Sequence, residues 1–162
     1  MSPAHKRFLL LEEGVGSIVA NVLINGAIVF LLFHGASRVP LWGQQSIAGD
    51  TVATAFFLPF FTTLMVTPLA RRALRAGRFE ALEWQRDVPR ALRWLPAGTL
   101  ARGLVLGLLC AALVAPPSVA AFAALGVTEQ TFPSFLAFKV TFAAALGAPL
   151  TPLIALMAIA RR

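Results

Sequence analysis

The chain has 162 residues, 58% of them hydrophobic and 13% charged, with a formal net charge of +7 and a mean hydropathy of +0.78. Soluble domains carry about 25% charged residues, so this composition excludes an ordinary soluble domain. It predicts an all-α, polytopic integral membrane protein, with residues 1–162 forming one membrane domain. The basic balance does not imply nucleic acid, because the arginines stand between and beside apolar runs, where positive charge sets membrane topology.

His5, Lys6 and Arg7 lead into the first apolar run, which Glu12 and Glu13 interrupt. No small-residue cleavage site follows a short apolar core, so the first span is expected to be retained rather than cleaved. That span covers residues 14–33. Within it Ser17, Asn21 and Asn25 recur every four residues and form one polar stripe on a helix. An amide facing lipid is left unsatisfied, so the stripe must face protein or water. Two roles fit it: hydrogen bonding between helices, or lining a path for an ion or small polar solute.

His34, Gly35, Arg38, Pro40 and Gly43 make the first loop. The second span covers residues 50–70. Pro59 lies near its middle and should bend it by removing an intrahelical hydrogen bond. Thr62, beside that expected bend, joins Ser17, Asn21 and Asn25 as a path-lining candidate. The other threonines of this span are expected to bond their own backbone.

Residues 71–98 form the longest polar stretch. Arg71, Arg75 and Arg78 have helical spacing and could meet anionic lipid headgroups. Gly77 and Pro89 argue against one continuous helix here. The third span covers residues 99–115, where Pro116 and Pro117 are expected to stop it. Residues 118–127 are then a surface or re-entrant helix. The fourth span covers residues 134–160. Gly103 and Gly107 on the third span, and Gly147 and Thr151 on the fourth, are spaced for close helix packing, either on each other or across a homo-oligomer. Cys110 stands alone in the sequence, which excludes an intrachain disulfide.

The second and fourth spans share a pattern. Thr51, Pro59, Arg71 and Arg72 fall on Thr141, Pro149, Arg161 and Arg162 at a shift of ninety residues. The four spans therefore read as two helical hairpins in parallel repeat. Four crossings place both termini and the 71–98 loop on the arginine-rich side, which the positive-inside rule makes cytoplasmic. Asp50 and Lys139 open the second and fourth spans at matching depth on the opposite side, so an ion pair is expected at this outer edge. Glu12, Glu13 and Arg102 match in the same way at the inner edge.

His5 and His34 lie at opposite ends of the first span. The sequence has no Cys/His cluster, GxSxG elbow or phosphate-binding loop, so no enzyme, metal or cofactor is expected. Abundant Arg and Ala beside only two Lys point to a GC-rich bacterial genome, and the expected location is the bacterial inner membrane. The expected function is a small channel or carrier for an ion or small polar solute, assembled as a homo-oligomer in the lipid bilayer. The alternative is a non-transporting accessory, scaffold or lipid-binding subunit. A water-accessible cavity at Asn21 and Asn25 favours the first.

Overall fold

The computed structural model describes residues 5, 7–9 and 15–161. In chain order the elements are α1 (Gly16–Phe33), β1 (Arg38–Pro40), α2 (Ile47–Arg75), β2 (Leu82–Glu83), α3 (Trp84–Asp87), a 3-10 turn (Arg90–Leu92), α4 (Thr99–Leu113), α5 (Ala115–Ala124), β3 (Glu129–Thr131), α6 (Phe132–Ile159) and β4 (Ala160–Arg161). The molecule is mostly helical, 74%. Among the described residues four helical stretches are long and apolar enough to cross a membrane: α1, α2, α4 with α5, and α6.

Local chemistry explains several boundaries. Ser46 caps α2, its hydroxyl accepting from the Gly49 N–H at 3.1 Å. Asp50 lies in the first turn of α2 and Arg72 and Arg75 in the last, which suits the helix dipole at both ends. Gly77 adopts φ +71° just beyond, where a left-handed residue terminates a helix. Arg78 therefore lies outside the helix and does not share a helical face with Arg71 and Arg75, contrary to the spacing argument. Its guanidinium sits over the Phe8 ring instead, 5.8 Å from the centroid.

Pro59 and Pro68 both lie inside α2, which runs unbroken through them. Pro116 and Pro117 do not end the third apolar stretch as expected. They occupy the first turn of α5, where a missing N–H removes no helical hydrogen bond. Only Val114 separates α4 from α5.

α2 is the central helix. It packs against α4 on one side and α6 on the other, while α1 packs against α6. The helices thus lie in the order α1–α6–α2–α4. The first helix of each hairpin packs chiefly on the second helix of the other hairpin. Both ends are tied by short strands. β1 pairs antiparallel with β3, Val39 opposite Gln130, and Arg38 forms an exposed ion pair with Glu129. At the other end β2 pairs in parallel with β4, Leu82 opposite Ala160. His5 Nε2 reaches the Glu80 carbonyl there at 2.8 Å. His5, the 71–98 loop and the C-terminal strand are therefore gathered at one end.

Three apolar clusters stack along the helices. Val29, Phe33, Val39, Ile47, Val119 and Phe135 fill the arginine-poor end. Ala55, Leu58, Cys110, Ala143 and Leu146 fill the middle. Val66, Ala70, Trp84, Leu95, Leu106 and Ile154 belong to the cluster at the arginine-rich end. In the 71–98 loop the Asp87 carboxyl accepts from Arg86 and from the Glu83 N–H. Those bonds, Arg86 first, hold its pKa below the ordinary carboxylate value.

Candidate functional site between α1 and α2

Because α1 packs on α6 and not on α2, a groove remains between α1 and α2, with α6 behind it. It holds about 490 Å³. Ile24, Ile28 and Leu32 form one rim; Phe57, Phe61 and Met65 form the other. All six are exposed. Asn21, Asn25, Asp50, Thr54, Thr62 and Lys139 supply its polar lining.

Helical periodicity places these groups. On α2, Asp50, Thr54, Leu58 and Thr62 recur every four residues and share one face, while Phe57, Phe61 and Met65 form the neighbouring ridge. On α1, Asn21 and Asn25 lie one turn apart. The register of α1 against α6 sets their depth. Phe33 and Phe135 meet with ring centroids 5.0 Å apart. A Cβ at Gly26 would contact Val140 at 3.5 Å, and a Cβ at Gly147 would overlap Asn21 Nδ2. Lys139 therefore lies at the level of Val29, Asn25 about one turn deeper and Asn21 about two turns deeper.

Lys139 is 2% exposed. Its Nζ donates to Asp50 Oδ2 at 2.5 Å and to Thr54 Oγ1. The Thr54 hydroxyl donates in turn to the Asp50 carbonyl at 2.8 Å. The structure thus joins the two charges matched by depth in the sequence, and adds a threonine one turn along from Asp50. Asn25 Nδ2 donates to the Asn21 carbonyl at 3.0 Å, so part of the stripe is spent on its own helix.

The comparisons were made with protein-family models, curated proteins and solved structures. None matches this chain.

The remaining candidates are dispersed. Ser17 is half-buried and is not part of the groove lining. Glu12 and Glu13 lie outside the described residues. Arg102 is 2% exposed at the start of α4, where its Nε donates to the Pro96 carbonyl at 3.0 Å and its guanidinium lies 5.9 Å from the Trp84 ring centroid. Arg71 and Arg75 are exposed on the last turns of α2.

The glycine faces do not pack on each other. A Cβ at Gly107 would lie 2.8 Å from the Phe56 carbonyl oxygen, and one at Gly103 would lie 3.2 Å from that of Phe60. Those glycines seat α4 on α2. Gly147 seats the side chain of Asn21, and Thr151 donates to the Gly147 carbonyl at 2.9 Å. Thr54 and the aromatic ridge Phe57–Phe61 were legible only as four-residue spacings. Nothing in the linear pattern said that this face of α2 looks towards α1.

Proposed function

We propose that this protein is a small inner-membrane transport protein that moves a small solute along the groove between α1 and α2. Large apolar side chains cover the outer faces of its helices, among them Leu23 (66% exposed), Leu31 (71%), Met65 (61%) and Leu108 (61%). Such surfaces suit lipid. Each of the four helical stretches meets the length that a bilayer core of about 30 Å requires. In this reading both termini and the 71–98 loop are cytoplasmic, where the arginines concentrate. Exposed Arg71 and Arg75 then meet anionic headgroups.

The observation that carries the transport reading is the polar lining of Asp50, Thr54, Lys139, Asn25, Asn21 and Thr62 between the apolar rims of the groove. Buried ionisable groups in membrane spans are costly and mark substrate or ion pathways. The groove is open along one side, so a second copy of the chain is the natural wall, and the working unit is a homo-oligomer. The test is flux into liposomes for a panel of ions, polar solutes and amphiphiles, beside a Thr62→Val/Asn25→Leu variant. Flux that falls in a variant with an unchanged melt supports the reading; no flux of any compound by the wild type removes it.

A second reading has its own support. The rims Ile28, Leu32, Phe57 and Phe61 present apolar side chains to whatever fills the groove. A partner's membrane helix would bury them, which makes the protein an accessory subunit. Co-purification of a stoichiometric partner, with no flux, favours this.

A further inference from the structure

We infer that the groove between α1 and α2 selects an uncharged amphiphile. Its head carries both a hydrogen-bond donor and an acceptor, as an alcohol or primary amide does, and it has a single alkyl tail. The inference rests on the transport reading for the groove's place inside a bilayer, and it names the class of solute.

The head is read from the ion pair. An ammonium group has three donors. Among the described residues Lys139 Nζ gives two of them, to Asp50 Oδ2 and Thr54 Oγ1. No described residue donates to Asp50 Oδ1. One ammonium N–H and Asp50 Oδ1 thus have no partner among the described residues, and both belong to residues that line the groove. A hydroxyl or amide head complements both at once.

Charge selects against ions. Lys139 and Asp50 already neutralise each other, and among the described residues no third charged one lines the groove. An anion or cation entering here leaves water without a counter-charge waiting for it, which is heavily penalised at low dielectric. An uncharged head avoids that penalty.

The tail is read from the rims. From Asp50 to Met65 the groove follows fifteen residues of helix, about 22 Å at 1.5 Å per residue, whereas one leaflet's hydrocarbon is about 15 Å deep. An extended alkyl chain running from the ion pair past Phe57 and Phe61 fits that length. The deeper polar groups Asn25, Asn21 and Thr62 lie along the tail's path, and the two amides are partly engaged within the protein. Asn25 gives one of its two amide N–H groups to the Asn21 carbonyl, and the Asn21 amide nitrogen abuts Gly147.

The experiment is native mass spectrometry of the full chain released from nanodiscs of one synthetic lipid. The added probes are dodecanol, dodecanamide, dodecyl sulfonate and dodecyltrimethylammonium at pH 8, the last two charged at any pH. The two uncharged probes should bind at least about tenfold more tightly than either ion. Asp50→Leu/Lys139→Met removes both charges together, so neither is left unpaired; it should bind the dodecyl compounds without that preference. Equal binding of either ion to the wild type overturns the inference. So does a double variant that keeps the same preference, or a wild type that binds no dodecyl compound. An uncharged lipid that co-purifies with the wild type and not with the double variant supports it and places the ligand in the bilayer. Uptake of the added probes alone supports it with a solute from outside. Selective binding without liposome flux leaves the inference standing and removes transport; ion flux without selective binding does the reverse.

Discussion

Lys139 and Asp50 are each held in the interior by the other, their side chains 3% and 7% exposed. Lys139→Met leaves the carboxylate buried without its partner and should cost about 3–5 kcal/mol of stability. Adding Asp50→Leu should restore most of that loss. Unfolding of the two single variants and the double variant in one detergent measures the coupling, and a cycle with none would mean that the pair is solvated. Arg38 and Glu129 are the contrast, 65% and 42% exposed. Arg38→Ala should cost less than about 1 kcal/mol in the same assay. Two threonines on α2 make a second comparison. The Thr63 hydroxyl donates to the Pro59 carbonyl at 2.7 Å, whereas Thr67 Oγ1 is buried with no partner among the described residues. Thr63→Val should lose about 1 kcal/mol, while Thr67→Val should be neutral or stabilising, since a buried hydroxyl without a partner is itself a cost. The same melts, run in parallel, decide it.

Between elements, the tight contacts are made by glycine. At Gly107 the obstacle to a side chain is the Phe56 backbone, which can move only if α4 leaves α2. Gly107→Ala should therefore destabilise by about 1–3 kcal/mol. At Gly147 the obstacle is the end of the Asn21 side chain, which can be removed. Gly147→Ala should be destabilising alone and close to neutral beside Asn21→Ala. A loss of the same size in both backgrounds would show that α1 does not lie against Gly147. These faces were legible in the sequence as small residues four apart, but their partners were not. Spacing marks the side of a helix that admits close approach, without saying which helix approaches. The apolar length of each helix was legible because a run of about 20 residues without charge has few alternatives. The restart at Pro116 was not, because two prolines read equally well as a stop and as a first turn. Arg78 left its expected face because one glycine with positive φ ended α2 before it.

At the scale of the molecule the charges divide between two ends. The strand pair β2–β4 gathers the 71–98 loop and the C-terminal strand at one end, and β1–β3 joins the two loops at the other. Gln85 and Gln44 are exposed at opposite ends. In a Cys110→Ala background, Gln85→Cys should react with an impermeant maleimide only from the cytoplasmic side and Gln44→Cys only from the other. Labelling of both from one side would overturn the proposed topology. The ion pair of the candidate site was readable from depth alone: Asp50 and Lys139 open equivalent spans, and they meet. The groove itself was not, because it exists only through the lateral order α1–α6–α2–α4, which no periodicity encodes.

That order also governs how the protein can be made. Asp50 leaves the ribosome 89 residues ahead of Lys139, a delay of roughly 5–20 s at ordinary rates of synthesis. Throughout that interval the nascent chain holds a carboxylate without its cation, and α1 and α2 without the helix that joins them. The principal helix contacts, α1 with α6, α2 with α4 and α2 with α6, all join residues before the 71–98 loop to residues after it. A translation product ending at residue 98 should therefore be a target for membrane proteases. Residues 1–98 and 99–162, produced as separate polypeptides in one cell, should instead protect each other and co-purify. Completion of α6 becomes the step at which a newborn chain passes from degradable to stable, and pulse-chase lifetimes of the fragments, alone and together, would time it.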